Sequence, residues 1–133
     1  MLFRSNKTFL TSVDDTDTAW AVDDFPLNLC SKSFEFTGSA SQSAAQWADT
    51  YSKAVLAEAT IAIKADLIKY KIPAVHLTDS QIIAKHKNPK DHTIRGICTH
   101  ADISRALKII GGHQDPGLNF PLAAFIQGVK NGN

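Results

Sequence analysis

Two residues in the last third of the chain have the chemistry of metal ligands. His100 offers an imidazole nitrogen, and Asp115, fifteen positions later, offers carboxylate oxygen; zinc accepts both donor types. Asp115 stands in "GGHQDPGLNFP", residues 111–121, where three glycines and two prolines enforce irregular backbone and present His113 and Asp115 from a loop. Glu35, in "SKSFEFTG", is a carboxylate of the type that serves as a general base. Spacing alone favours plainer roles. Asp-Pro-Gly is common in ordinary turns, a lone histidine is more often hydrogen-bonded than ligating, and Glu35 on a strand reads as an exposed face residue.

These residues need elements to position them. "LFRSNKTFLTSV" predicts two short strands around a turn at Ser5-Asn6-Lys7, followed by loop through "DDTDTAW" and "DDFPLN". In "SKSFEFTG" the alternation predicts a strand with Phe34 and Phe36 on one face and Glu35 on the other. From Ser52, the three- and four-residue steps of Val55, Ala59, Ile63, Leu67 and Tyr70 predict a long amphipathic helix ending near Lys71, before Pro73. Thr78 with Gln81 matches a capping box opening a helix through about Lys85. "IRGICTH" predicts a buried strand that delivers His100 at its carboxyl end. "PLAAFIQGVK" predicts a closing helix with Pro121 at its first position and a stripe of Leu122, Phe125, Ile126 and Val129. The expected class is mixed α/β or α+β, a small central β-sheet flanked by helices.

The whole chain narrows the function classes. At 133 residues it has the size of one domain with a core of its own, and no linker or repeat divides it. Lys and Arg number 14 against 13 acidic residues, and the one basic run is "KHKNPK", so nucleic acid is not an expected partner. No apolar run reaches bilayer length and the amino-terminal segment lacks a signal-peptide core, so neither membrane nor secretory export is expected. Cys30 and Cys98 show no framework spacing and read as thiols. Arg105 is expected to pair with a carboxylate. His76, His86 and His92 share no metal spacing and are expected to be solvated.

"RGICTHADISRAL" followed by "GGHQDPGLNFP" resembles the carboxyl half of the zinc-dependent N-acetylmuramoyl-L-alanine amidases of phage endolysins, relatives of the peptidoglycan recognition proteins. "DTAWA", "SFEFTGSASQSAAQWADTYS" and "YKIPAVHLTDSQ" resemble, in order, that family's tryptophan loop, glutamate-bearing strand, long helix and following segment. The resemblance implies a peptidoglycan hydrolase that cuts the amide between N-acetylmuramic acid and L-alanine. It makes His100 and Asp115 ligands of a catalytic Zn2+, Glu35 the general base and then acid, and His113 a stabiliser of the oxyanion. Trp20 and Trp47 are candidates to line a sugar-binding groove, with Asn28 as a further substrate contact, though an aromatic partly buried under a loop is the more frequent case; Asp102 is a candidate to hold a local turn or to steady a histidine from behind. A phage lysin of this kind waits in the host cytoplasm and reaches the cell wall through a holin.

The chain departs from the family at its start. The family's pattern opens with a central strand ending in a first zinc-ligating histidine, and here no histidine precedes His76. Three accounts stand open: a fragment of a longer endolysin, one half of a split amidase completed in trans by an amino-terminal segment, or a site remodelled with Cys98 as a ligand. A non-catalytic peptidoglycan-binding module is the alternative function.

Overall fold

The computed structural model describes residues 2–3 and 9–131. The fold is mixed but mostly helical. Among the described residues the extended pairing is slight. Strand β1 (Leu2–Phe3) pairs antiparallel with β2 (Phe9–Leu10) and parallel with β3 (Glu35–Phe36), two residues in each ladder. A central sheet is not shown. The turn expected at Ser5-Asn6-Lys7 lies outside the described residues.

Among the described residues, six helices follow from local signals. Asp24 caps α1 (Phe25–Asn28), accepting from Leu27 N, so "DDFPLN" is a short helix and not the expected loop. Ser43 and Gln46 form a capping box on α2 (Ala44–Trp47), and Asp49 caps α3 (Thr50–Lys69). The capping box of Thr78 and Gln81 opens α4 (Asp79–Lys87), as expected from the sequence, and α4 runs two residues beyond Lys85. A further capping box, Thr99 with Asp102, opens α5 (His100–Leu107). The last helix, α6 (Leu122–Asn131), starts one residue after Pro121, whose carbonyl accepts from Phe125 N at 2.9 Å.

Helix α5 takes over the carboxyl end of an expected strand, from its cap at Thr99 onward. Only Ile97 of "IRGICTH" makes a β-bridge, parallel with His76, and Thr99 already belongs to the helix cap. The side-chain-to-backbone bonds of the cap outweigh the apolar run, so His100 enters at the first turn of a helix and not at a strand end. The long helix α3 also departs from expectation. Val55 and Ala59 are fully buried, yet Ile61 and Ile68 are about two-thirds exposed, so α3 is apolar around most of its girth and not amphipathic.

Two apolar cores divide the helices. Trp47, Val55, Ala59, Ile63, Phe120, Phe125 and Val129 pack α2, α3 and α6 together, with Phe34 and Phe36 against them. Val22, Leu27, Leu77, Ile82, Ile103 and Ala106 join α1, α4 and α5. As expected, Phe34 and Phe36 face the core while Glu35 is exposed. His100 heads an element of the second core, and the 111–121 loop leads from it into the first.

Candidate metal centre

The loop after α5 folds back on the helix that precedes it. Lys108, left-handed at φ 56°, ends α5, and Ile109 N donates to Ser104 O at 2.9 Å. Ala101 N, in the first turn of α5, then donates to the carbonyl of Asp115 at 3.1 Å, which anchors the loop beside His100. The loop also touches the other core. Gly117 has φ +93°, and a Cβ there would stand 1.9 Å from the Ala40 carbonyl oxygen, so only glycine fits this approach. The Asp115–Pro116 peptide is cis.

This folding gathers three donors. His100 Nδ1 lies 2.7 Å from Asp115 Oδ2, and His113 Nδ1 lies 3.3 Å from Asp115 Oδ1. The two imidazoles meet edge to face at 5.3 Å between centroids. One ligand atom from each of His100, His113 and Asp115 falls within 4.8 Å of the others. Donors at about 2.0–2.1 Å from a tetrahedral zinc stand about 3.3 Å apart, so the His113–Asp115 spacing already suits a metal. The His100–Asp115 contact would open by roughly 0.6 Å to admit one. Two imidazoles and a carboxylate are a fitting donor set for zinc that leaves a fourth position for water or substrate.

His113 thus stands as near to Asp115 as a ligand does, a position the sequence reading gave to oxyanion stabilisation alone. Its Nε2 points toward Asp23 Oδ2 at 3.9 Å, an ion-pair distance beyond hydrogen-bond reach. Asp23 was missed in the sequence because nothing in "AVDDFP" marks it apart from its capping neighbour Asp24. Cys98 is not among the converging donors. Burial pushes its thiol up to about 12, with the charge of Asp102 adding to the effect.

A cavity of about 330 Å³ opens beside the cluster, and His100, Asp115 and Glu35 all line it. Glu35 also lines a second, more polar cavity of about 510 Å³ that reaches Trp20. Trp20 is 79% exposed and stacks on Phe25, rings 5.4 Å apart and 27° from parallel. Such a platform suits the apolar face of a sugar ring. Trp47 stands elsewhere: it is buried against Phe120 and meets the first cavity only as part of its wall. Asn28 is buried too, and its amide is committed to the chain itself. Its Oδ1 accepts from Ala21 N and Val22 N at 3.2 and 3.1 Å, and its Nδ2 donates to Val22 O at 2.7 Å. Asn28 therefore pins the segment that presents Trp20.

Asp102 steadies a histidine, but His76 and not His100. Its carboxylate accepts from Thr99 N and Oγ1 at 2.9 and 2.8 Å, from Arg105 at 2.8 Å, and lies 2.8 Å from His76 Nε2. Burial pushes this carboxyl up, yet the bonds from His76, Thr99 and Arg105 outweigh it and hold Asp102 below the ordinary aspartate range. Arg105 also forks onto Asp79, the carboxylate pairing expected of it. His76 and His86 are not simply solvated as expected, because His86 Nδ1 lies 2.7 Å from Asp24 Oδ2. His92 is exposed.

Compared with known proteins, the chain matches no family model, no curated protein and no solved structure. No helix of the described residues is long and apolar enough to cross a membrane.

Proposed function

We propose that the chain is a zinc-dependent peptidoglycan hydrolase, cutting the amide between N-acetylmuramic acid and L-alanine. One observation carries the reading: His100, His113 and Asp115 converge within 4.8 Å, and two of them, His100 and Asp115, line a cavity that Glu35 also lines. The fold reading goes with it, a small sheet flanked by helices of which the two-residue ladders are short stretches. His100, His113 and Asp115 would hold the ion, which when bound would supply Lewis acidity and lower the pKa of a water to about 7. Glu35, exposed at the same cavity, would serve as the general base and then the general acid. Asp115 fixes the facing edges of both imidazoles, and Asp23 lies 3.9 Å from the far nitrogen of His113. Trp20, stacked on Phe25, would offer its face to a sugar ring along the second cavity.

The test is zinc content and product analysis on the purified full chain. One zinc per chain, with new L-alanine amino termini released from purified peptidoglycan, supports the reading. One zinc without release from walls of several chemotypes overturns the hydrolase, and retention on walls would then favour a glycan-binding module built on Trp20 and Phe25. No zinc above background overturns the metal centre itself.

A further inference from the structure

The longest helix leaves one side uncovered. In α3, Val55, Ala59 and Ile63 are buried in the first core, while Ile61 and Ile68 on the opposite side are 65% and 67% exposed. Ala57 and Ala65 are exposed with them, and Ala54 is half-buried. At 3.6 residues per turn, Ala54, Ala57, Ala65 and Ile68 all lie within about 40° of Ile61, so the five form one apolar stripe roughly 20 Å long. A helix that is apolar all round is normally covered all round. This one is not long and apolar enough to cross a membrane, so a protein surface is the fitting cover.

The charges beside the stripe select the partner. Lys53 stands immediately before Ala54 on one flank, and Glu58 immediately after Ala57 on the other. Neither makes an ion pair among the described residues, whereas Asp66 and Lys69 of the same helix are paired with Lys32 and Asp15. When two parallel helices meet along a seam of this spacing, the residue before one seam position faces, on the other helix, the residue after the next seam position. Lys53 of one copy therefore meets Glu58 of a second copy, and two-fold symmetry repeats the pair. Lys64 lies on the same flank as Lys53, so an antiparallel pairing would set lysines against lysines. The stripe thus complements a copy of itself in one orientation.

We propose that the outer side of α3 is a self-association face, on which two copies of the chain pair in parallel along Ala54, Ala57, Ile61, Ala65 and Ile68 with Lys53–Glu58 ion pairs on both flanks. Two isoleucines from each copy make a small interface, under the roughly 1,200 Å² of stable complexes, so the dimer is weak and forms with rising concentration. The self-association does not rest on the hydrolase reading.

Sedimentation equilibrium on the full chain, from micromolar to about millimolar protein in about 0.15 M salt, reads the association. The parent chain moves from monomer toward dimer across that range. Ile61→Glu, a change at an exposed position, weakens association by about tenfold or more while the chain stays folded by circular dichroism. Lys53→Glu and Glu58→Lys each weaken it severalfold, and a chain carrying both changes recovers the parent affinity to within about twofold. A parent chain that stays monomeric throughout overturns the proposal. Dimers that Ile61→Glu leaves intact overturn it as well, because they form through another surface. Single charge reversals without effect, or a double reversal no stronger than the single ones, overturn the parallel pairing.

Discussion

Asp115 is where most of the candidate chemistry meets, because its two carboxylate oxygens face two different imidazoles at 2.7 and 3.3 Å. A residue in that position orders both rings, whether or not an ion joins them. Glu35 differs in kind, since it lines the same cavity without belonging to the cluster. The proposed chemistry therefore separates the two by mutation. Glu35→Gln is expected to leave zinc content unchanged and to lower the rate of amide cleavage about 10²–10⁴-fold, the usual worth of a general base. Metal analysis and product release on the same preparation check this, and loss of zinc from the Glu35→Gln chain would place Glu35 in the metal site instead. The residue types at 100, 113 and 115 were legible in the sequence because imidazole and carboxylate announce ligand chemistry. Their convergence was not, because it depends on the bond from Ala101 N to the Asp115 carbonyl, which no spacing rule encodes.

Helix α5 is the element that turns these residue types into a site, and its start rests on Asp102. That side chain closes the capping box with Thr99 and reaches His76 and Arg105, so one buried carboxylate joins the helix to the segments before and inside α4. Its folded-state carboxyl lies below the ordinary value, so its contribution is fully present above the unfolded pKa of about 3.9 and is lost as pH falls through the folded value. Asp102→Asn is thus expected to cost about 1–3 kcal/mol near pH 7, and the gap from the parent chain should close below about pH 4. Denaturation midpoints from pH 3 to 7 read both parts; a gap independent of pH would show that shape, not charge, matters at 102. The signal for this helix was present in "THAD", threonine with an acid three residues on, and was hidden by the apolar run "IRGIC" that reads as strand. Periodicity served better where nothing competed with it: α4 and α6 begin within one residue of where their caps and prolines predict. The loop that faces α5 is equally dependent on one residue. Gly117→Ala would force a Cβ into the Ala40 carbonyl at a φ of +93°, and is expected to cost more than about 1–3 kcal/mol while weakening zinc binding at least tenfold. Chemical denaturation and zinc titration of that variant test it, and unchanged affinity would mean that the 113–115 geometry survives without the contact at Ala40.

The molecule as a whole is two helical cores joined across the 111–121 loop, and this arrangement decides what a bound ion would do to stability. His100 heads α5, which packs in one core, while His113 and Asp115 lie on the loop that enters the other through Phe120. Among the described residues little regular pairing stands where the sequence alternation predicts strands, and the apolar cavity there is lined by residues of both 31–36 and 96–99. Strands read as such from alternation still need neighbours on both edges to persist over more than two residues. An ion bridging His100 to the loop would supply a tie between the cores that the apolar contacts do not. A ligand that binds only the folded state stabilises it by about 2.7 kcal/mol at one hundred times its dissociation constant. For a chain of this length that corresponds to a rise in Tm of roughly 10 °C. Thermal unfolding in zinc against chelator is expected to show that rise, and Asp115→Asn and His113→Ala should each abolish most of it at the same zinc concentration. If His113→Ala keeps the full shift while Asp115→Asn loses it, the ion rests on His100 and Asp115, and His113 is left to the oxyanion role that the sequence assigns it.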